Sequence, residues 1–348
     1  MRYTFFNAGS WERNPSMMRL RELGREMIAR GVDVTYAVDD CDYNRKHLDV
    51  DPKAEVVFTA RPRGLAQWRG RRRTLKNLRS DFVHILNPSP RTCAGLWGSR
   101  LRVVGDWDEW PALRPGSFAR RTANKFLDYW MRNRPVLTVV SSRYMTDQFR
   151  QRYGIEALYV PYAAYISKTA DGVSPFSRPT AVSMGSFYAA YDHDILFNAA
   201  RLLKASGKLP PLTFIGDGPD WQKWRTFVQE HQLDNVELKG YVNDDQRWLC
   251  LRHAHVLLFP IRVNPINLAR CPAKTFAYAQ AHRPVIANRV GEVPEVLGEL
   301  ATYVDPTPEA FAAAIVDAMQ RPQPDVDYGV EAHNWAARAD RLLAALPQ

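Results

Sequence analysis

The chain has 348 residues, a mass of 39.8 kDa and 46% hydrophobic residues, which suits about two globular domains and excludes a disordered tail. Its 47 Lys and Arg residues outnumber 37 Asp and Glu residues, so the formal net charge is +10 and an anionic partner is favoured. The four cysteines form no CxxC pair, which argues against a disulfide framework or a cysteine–zinc site.

The amino-terminal sequence MRYTFFNAGSWERNPS contains charged and polar residues too early for a signal peptide. No segment offers the roughly 18 uncharged apolar residues that a transmembrane helix needs. These features predict a cytoplasmic protein, either soluble or peripheral on the inner face of the cell membrane.

In the first half, short apolar runs alternate with helix-length amphipathic stretches. RYTFFNA (2–8) predicts a strand, and the spacing of apolar residues from Pro15 to Ala29 predicts a helix that ends at Gly31. Further strands are predicted at 32–38, 55–60, 81–87, 101–106 and 135–141. Strands separated by helices predict a parallel sheet buried on both faces.

A second series follows the Pro- and Ser-rich stretch 171–180. It predicts a helix at 194–207, a final amphipathic helix at 333–346, and strands at 180–186, 212–218, 236–242, 254–260 and 283–288. We therefore expect two doubly wound domains facing a cleft, with boundaries at 1–165 and 166–330. The segment 331–348 is expected to be a helix that packs back on the first domain. Ligands of such sheets bind beyond the carboxyl ends of the strands.

Glycine turns follow three predicted strands. They contain Gly9 and Ser10, then Gly185, Ser186 and Phe187, then Gly216. A glycine there lets backbone N–H groups approach a phosphate, although any strand-to-helix turn favours glycine. None of the turns forms GxGxxG or GxxxxGK[ST], so the fingerprints of dehydrogenases and ATPases are missing.

The segment FPIRVNPINLARCPAKTFAYAQAHRPVIANRVGEVPEV (259–295) is the richest in candidate ligands. An irregular stretch with Arg262 and Asn267 leads to a helix that begins near Pro272. The positive helix end and the ammonium group of Lys274 suit a diphosphate, whereas the plainer interpretation is a solvated surface lysine.

PAKTFAYAQAHRPVIA, together with GDGP (216–219), LKGYV (238–242) and NWAARADRLL, resembles the carboxyl half of GT-B glycosyltransferases of the glycogen-synthase-like, GT4-type group. The resemblance implies two Rossmann-like domains and a nucleotide-diphospho-sugar donor bound mainly by the second. It implies donor contacts from the Gly185 turn (Gly185, Ser186, Phe187), Gly216, Tyr241, Val242, Arg262, Asn267, Leu268, Ala269 and Lys274.

The sequence departs from the usual pattern of this group at two positions. Two Glu residues, eight apart, contact donor sugar and ribose in many members, and they align here with Ala269 and Ala277. GSFYAAYDHDILF and NLARCPAKTFAY are similar to exopolysaccharide glucuronosyltransferases, a branch that also lacks the second Glu. The sequence therefore does not predict which groups bind the ribose.

The catalytic candidate lies in VVGDWDEWPAL (103–113). Asp106, Asp108 and Glu109 are expected where a strand ends, and Gly9 and Ser10 are expected on the same acceptor-side edge. A carboxylate there can take the proton of an acceptor hydroxyl, and the glucuronosyltransferase resemblance implies that this base is Asp108. The alternatives are a helix N-cap cluster and a metal-binding DxD formed by Asp106 and Asp108; we predict a metal-independent base.

The histidines carry less information. His84 lies within a predicted strand and suits a satisfied core residue. His193 either reaches the donor or, with its two neighbouring aspartates, caps a helix, and no HExxH zinc pattern is present.

The basic run RPRGLAQWRGRRRTLKNLR (61–79) contains Trp68, Arg71, Arg72 and Arg73 and no acidic residue. It predicts either a solvated face or a surface that binds anionic lipid, which FARRTANKFLDYWMRNR (118–134) would extend. No nucleic-acid-binding motif is present.

The sequence thus predicts a hexosyl- or glucuronosyltransferase that acts on a glycan or lipid-linked acceptor in bacterial-type polysaccharide or glycoconjugate synthesis. No cofactor is expected beyond the nucleotide-diphospho-sugar co-substrate. A sugar-nucleotide epimerase and a non-catalytic anionic-ligand or membrane-binding protein are the alternatives. Stereochemistry and oligomeric state stay open.

Overall fold

The computed structural model describes residues 1–7, 9–11, 15–59, 65–88, 93, 95, 96, 98–110, 113, 117–165, 172–188 and 191–348. These residues form two compact units. The first comprises Met1–Ala163, Leu268–Cys271 and Asn334–Gln348, and the second comprises Ala164–Asn267 and Pro272–His333.

The first unit is built on a parallel sheet, seven-stranded over the described residues. Its strands are β1 (Arg2–Phe6), β2 (Asp33–Asp39), β3 (Glu55–Thr59), β4 (Phe82–Leu86), β5 (Val103–Trp107), β6 (Leu137–Val140) and β7 (Leu158–Tyr159). They lie side by side in the order β3-β2-β1-β4-β5-β6-β7. The chain therefore starts in the middle of the sheet and winds to one edge and then to the other.

The second unit repeats this plan with six described strands. They are β8 (Ala181–Met184), β9 (Leu212–Ile215), β10 (Val236–Gly240), β11 (Val256–Phe259), β12 (Val285–Ala287) and β13 (Thr302–Tyr303). The order is β10-β9-β8-β11-β12-β13, and every pair is parallel.

Helices connect the strands in both units. They are α1 (Pro15–Ala29), α2 (Asp42–His47), α3 (Leu65–Asn77), α4 (Phe118–Arg132), α5 (Arg143–Tyr153), α6 (His193–Ala205), α7 (Trp221–Glu230), α8 (Asp244–Arg252), α9 (Pro265–Ala269), α10 (Ala273–Gln280), α11 (Val293–Leu297), α12 (Pro308–Gln320) and α13 (Trp335–Ala344). Short 3-10 turns lie at Gly298–Leu300 and Val330–Ala332. The predicted α/β class with two Rossmann-like, doubly wound domains is confirmed.

Local signals in the sequence set several helix ends. The Ser142 hydroxyl accepts a hydrogen bond from the Met145 amide at the start of α5, and Gly154 ends that helix with a φ of 65°. The Asn334 side chain caps α13 in the same way. The helices predicted at 15–29, 194–207 and 333–346 are observed at Pro15–Ala29, His193–Ala205 and Trp335–Ala344.

The final helix packs within the first unit. The Arg30 guanidinium at the end of α1 binds the Asp340 carboxylate and donates to the Ala336 carbonyl of α13 at 3.1 Å. The carboxyl-terminal segment therefore contributes to the unit in which the chain begins.

Each unit has its own apolar core. In the second unit, the ring of Phe197 stacks on Phe214 and on Trp224, with 4.4 Å between ring centroids in both pairs. In the first, Phe149 packs edge-on against Trp107 at 5.2 Å. No helix of the described residues is long and apolar enough to cross a membrane.

A polar depression of about 450 Å³ lies at the amino ends of β1, β2 and β3, lined by residues that include Arg2, Asp33, Lys53, Glu55 and Arg79. Ligands of open parallel sheets bind beyond the opposite, carboxyl ends of the strands. This depression is therefore not the candidate site.

Candidate active site

The structure corrects the predicted position of Asp106. This residue lies inside β5, fully buried, and is not part of a loop. Its oxygens accept hydrogen bonds from Arg19 at 2.7 and 3.1 Å and contact the His84 Nε2 at 3.0 Å. Burial alone would raise the pKa of Asp106, but the Arg19 charge and the His84 hydrogen bond outweigh it and hold the pKa below its usual value. Asp106 is thus an ionised structural group.

His84 completes this buried network. Its Nδ1 lies 2.8 Å from the Tyr3 hydroxyl. Because the Asp106 carboxylate can only accept, Nε2 of His84 carries the proton that it donates, and Nδ1 accepts from Tyr3. His84 is the satisfied core residue that its position in the strand predicts.

Asp108 is the first residue after β5, at the carboxyl edge of the sheet. Its Oδ2 accepts a hydrogen bond from the Tyr162 hydroxyl at 2.6 Å, and its Oδ1 accepts one from the Asn87 side-chain amide. Asn87 also accepts from the backbone amides of Asp108 and Glu109 at 3.1 and 3.2 Å. Only 3% of Asp108 is exposed.

The environment of Asp108 suits proton transfer. Burial and then the neighbouring Glu109 charge raise the pKa of Asp108 to about 6, against the opposing hydrogen bonds of Tyr162, Ser16 and Asn87. A base whose pKa lies near the working pH can both accept and release a proton. No formal positive charge stands among these hydrogen-bond donors, unlike the surroundings of Asp106.

Other predicted acceptor-side residues lie at the same edge, because β1, β4 and β5 are neighbours. Gly9 has a φ of 108°, and its amide donates to the Asp39 carboxylate at 2.8 Å. Ser10 and Glu109 are partly exposed. The structure therefore gathers the Gly9 turn, Asn87 and Asp108 along one edge of the first sheet.

In the second unit, Lys274 lies beside the Gly185 turn. Lys274 is the second residue of α10, which begins directly after Pro272. A side chain at Gly185 would stand 3.6 Å from the Lys274 Nζ and 3.7 Å from the His193 Cε1, in ordinary van der Waals contact. The Lys274 ammonium also lies 4.1 Å from the centroid of the Phe259 ring. A helix start and a cation thus meet a glycine turn.

The neighbouring glycine turn needs glycine for a steric reason. Gly216 has a φ of 130°, and a Cβ there would collide with the carbonyl oxygen of Gly185. The Gly216 amide donates to the Gly240 carbonyl at 2.8 Å. The carboxyl ends of β8, β9 and β10 are therefore drawn close together, and Tyr241, 56% exposed, follows β10 with the half-buried Val242.

Phe187 and His193 form a buried stack beneath this turn. Their ring centroids are 4.5 Å apart, and His193 Nε2 contacts the Ser186 carbonyl at 2.9 Å. Burial and then the Lys274 charge lower the pKa of His193 to about 4, so the imidazole is neutral at pH 7. The Phe187 ring lies in the core, and Ser186 is exposed.

Arg262 and Asn267 bind aspartates at the start of α6. The Arg262 guanidinium pairs with Asp192 at 3.0 Å and with Asp194 at 2.7 Å. The buried Asn267 amide donates to Asp192 and to the Arg262 carbonyl. The two aspartates beside His193 therefore neutralise Arg262, and Asp192, at the N-cap position, makes no side-chain cap to α6.

Leu268 and Ala269 are two further predicted donor contacts. Both belong to the first compact unit, where Ala269 is buried in the apolar core and its carbonyl accepts from the Ser142 hydroxyl at 3.0 Å. Ala277, on α10 of the second unit, is buried. Neither alanine offers a polar side chain to a ribose.

The arginines of the basic run differ in their exposure along α3. Arg71 is fully buried and paired with the Asp39 carboxylate, so it is not a surface residue as predicted. Arg71 and Leu75 lie one turn apart on the inward face, whereas Arg73 is exposed and Arg72 is half-buried. The Trp68 side chain, like residues 61–64, lies outside the described part of the chain.

The second basic segment exposes a continuous face. Phe118, Phe126 and Tyr129 of α4 are 78%, 56% and 60% exposed, and Arg121 and Lys125 are exposed between them. Their spacing places all five on one side of the helix. We call this the α4 face.

Among the described residues, no group of three or more His, Cys, Asp and Glu side chains is arranged to hold a metal ion. The Asp106 oxygens are already engaged by Arg19 and His84. The described residues therefore do not fit a DxD metal site.

Two family models match the chain, one in each half. The model described as Glycosyltransferase Family 4 matches residues 18–161, and the model described as Glycosyl transferases group 1 matches residues 178–321. No curated protein matches the sequence significantly.

Solved structures with the same fold cover nearly the whole chain. Sucrose-phosphate synthase from Thermosynechococcus elongatus has a TM-score of 0.77 and 15% identity, over 99% of this chain and 98% of that one. WaaG, a glycosyltransferase involved in lipopolysaccharide biosynthesis, has a TM-score of 0.70 and 13% identity, over 99% and 96%. Anabaena HepE in complex with UDP has a TM-score of 0.70 and 14% identity, over 99% and 100%.

Family models match both halves of the chain, and its fold of two parallel sheets is shared with solved glycosyltransferases. The chain therefore belongs to the GT-B glycosyltransferases. The resemblance seen in the PAKTFAYAQAHRPVIA segment is confirmed.

Proposed function

We propose that the chain transfers a hexosyl or glucuronosyl group from a nucleotide-diphospho-sugar to a hydroxyl of a glycan or lipid-linked acceptor, without a metal ion. The pathway we propose is polysaccharide or glycoconjugate synthesis. The observation that carries the proposal is that Lys274, at the start of α10, lies beside the Gly185 turn in the second unit.

This arrangement suits a leaving diphosphate. Backbone N–H groups at a helix start carry partial positive charge, and the Lys274 ammonium adds a full one. Both stabilise the negative charge that grows on the diphosphate as the glycosidic bond breaks. UDP bound to HepE, which shares this fold, supports a nucleoside diphosphate as the ligand class.

Asp108 is the proposed general base. An acceptor hydroxyl that attacks the anomeric carbon must lose its proton, and Asp108 stands at the carboxyl edge of the first sheet with a pKa of about 6. Inversion at the anomeric carbon is the simplest outcome of such direct attack. The glucuronosyltransferase resemblance implies this same base, and the surroundings of Asp108 support the role.

Asp108→Asn tests the reaction. We expect the rate of sugar transfer from UDP- or GDP-sugars to glycan or lipid acceptors to fall by about 10²- to 10⁴-fold. Binding of the donor should not change, because Asp108 and Lys274 belong to different units. Asp147→Asn, which removes an exposed carboxylate from α5, is the matched control. Unchanged turnover in Asp108→Asn would remove it from the mechanism.

An epimerase is the rival on this fold. Product analysis in the absence of acceptor separates the two activities: formation of a new nucleotide-sugar epimer would support the epimerase. Failure of every nucleotide sugar to react would instead favour a non-catalytic binding protein.

We further propose that the α4 face docks on an anionic membrane surface, which would place the enzyme at the inner face of the cell membrane. Exposed aromatic rings suit the headgroup region, and the two cations between them attract acidic lipids. This surface replaces the buried Arg71 as the centre of the predicted lipid contact.

A further inference from the structure

The carboxylate of Asp108 is held from two sides. Asn87, after β4, donates to Oδ1, and Tyr162, after β7, donates to Oδ2 at 2.6 Å. Asn87 is also bound to the backbone amide of Asp108 itself, so it fixes the loop as much as the carboxylate. The Tyr162 hydroxyl bonds to the carboxylate of Asp108 and also contacts the Ser16 side chain.

The ring of Tyr162 has little freedom. It is 3% exposed and packs edge-on against Trp335 of α13, with 6.0 Å between centroids. The Arg19 guanidinium lies 5.5 Å from the same ring and is anchored by Asp106. The carboxyl-terminal helix and the buried ion pair thereby set the direction in which the Tyr162 hydroxyl points.

A buried base needs such a donor. A carboxylate with nothing bound to one oxygen can rotate about its Cβ–Cγ bond, and burial disfavours its charged form. The Tyr162 hydroxyl fixes one oxygen and favours the ionised carboxylate, which is the form that accepts a proton.

We propose that Tyr162 is a positioning residue for Asp108 and holds its carboxylate ionised and correctly oriented for proton transfer. This inference rests on the proposed function, in which Asp108 is the base. Tyr162 itself touches no substrate in the proposal.

Several described groups face Asp108 and set its titration. Glu109 follows it in the chain, and Ser16 and Arg19 reach it from α1. Asn87 and Tyr162 reach it from the segments after β4 and β7. Tyr162 makes a 2.6 Å hydrogen bond to the carboxylate, and Tyr162→Phe removes this hydroxyl without a change in the shape of the ring.

The test is a pH titration of the whole protein by infrared difference spectroscopy, which needs neither donor nor acceptor. The carbonyl band of protonated Asp108 is the one that is absent from Asp108→Asn. We expect its midpoint near pH 6 in the native protein and about one pH unit higher in Tyr162→Phe, because one hydrogen bond to the charged form is lost. An unmoved midpoint would overturn the inference.

Tyr3→Phe is the matched control. Tyr3 is also buried in the first unit, but its hydroxyl bonds to His84 beside Asp106. We expect the Asp108 midpoint to stay at its native value in Tyr3→Phe. An equal shift in both variants would mean that any buried hydroxyl loosens the unit, and would contradict a specific role for Tyr162.

A second substitution covers the case in which Tyr162→Phe does not fold. Incorporation of 3-fluorotyrosine at position 162 keeps the ring and makes the phenol a stronger hydrogen-bond donor, so the Asp108 midpoint should fall. A midpoint that rises or stays constant would reject the inference.

Turnover separates this inference from the function on which it rests. If Asp108→Asn retains turnover, the proposed base is wrong. If Asp108→Asn is inactive while Tyr162→Phe keeps both the native midpoint and the native kcat, only the role of Tyr162 is wrong. If Tyr162→Phe lowers kcat, shifts its acid limb upward and leaves donor KM unchanged, both hold.

Discussion

Two aspartates that are two residues apart have opposite environments. Asp106 forms an ion pair with the Arg19 guanidinium, whose positive charge lowers the pKa of Asp106. In contrast, burial and the Glu109 charge raise the pKa of Asp108 to about 6. The charge of the partner decides the role: the paired carboxylate is structural, and the carboxylate held by neutral donors remains able to titrate.

The raised pKa of Asp108 has a consequence for stability. Between its ordinary value of 3.8 and about 6, the native state binds more protons than the unfolded state, so the free energy of unfolding falls as pH rises through this window. Asp108→Asn removes this dependence. Relative to the native protein, the variant should gain about 2 kcal/mol between pH 4 and pH 7.

Denaturant unfolding of both proteins across this pH range measures the difference. Asp147→Asn, on the exposed face of α5, should show no such gain and serves as the reference. A constant difference in free energy between Asp108→Asn and the native protein would show that Asp108 does not titrate as described.

At the scale of elements, two basic helices of the first unit have different surfaces. Arg71 of α3 turns inward to Asp39, while α4 presents Phe118, Phe126 and Tyr129 outward. Lipid contact is therefore a property expected of α4.

Arg121→Ser combined with Lys125→Ser tests this expectation. At about 1 kcal/mol for each cation near an acidic surface, binding to vesicles that contain phosphatidylglycerol should weaken about thirtyfold in a sedimentation assay. Binding to phosphatidylcholine vesicles should remain low for both proteins.

Arg201→Ser combined with Arg225→Ser removes the same charge from exposed positions on α6 and α7 of the second unit. This control should bind as the native protein does. If both pairs weaken vesicle binding equally, net charge alone explains the attraction and the α4 face has no special role.

The sequence predicted most of the described strands, the bounds of a few helices and few of the contacts. The spacing of apolar residues and Gly31 predicted the bounds of α1, because these signals are local. The strands β7 and β13 were missed, since two-residue edge strands have no recognisable pattern. Gly185 and Lys274 were predicted together only through the family resemblance.

Partners distant in the chain decided the remaining positions. Arg71 pairs with Asp39, 32 residues away, and Tyr162 bonds to Asp108, 54 residues away. The residues next to Arg71 in the sequence indicate a basic surface. They do not indicate that the fold places Asp39 beside Arg71 in the interior. A tyrosine after a short final strand carries no sequence signal at all for its contact with Asp108.

At the scale of the whole molecule, the two units interleave along the chain. Leu268–Cys271 and Asn334–Gln348 belong to the first unit although they lie within or after the second in sequence. Trp335, from the last of these segments, supports Tyr162 and through it Asp108. Removal of the carboxyl-terminal helix would therefore affect the candidate base as well as the core of the first unit.

In the proposed function, the second unit binds a nucleoside diphosphate through Lys274. Isothermal titration of the native protein with UDP, GDP, ADP and CDP tests it most directly, with Lys274→Ala as the variant and Lys208→Ala, at an exposed position, as the control.

We predict that the native protein and Lys208→Ala bind at least one of these nucleotides with equal affinity. Lys274→Ala should bind that nucleotide at least about tenfold more weakly, as expected for the loss of a hydrogen bond from a charged group. Absence of binding to every nucleotide, or equal affinity in Lys274→Ala, would contradict the account.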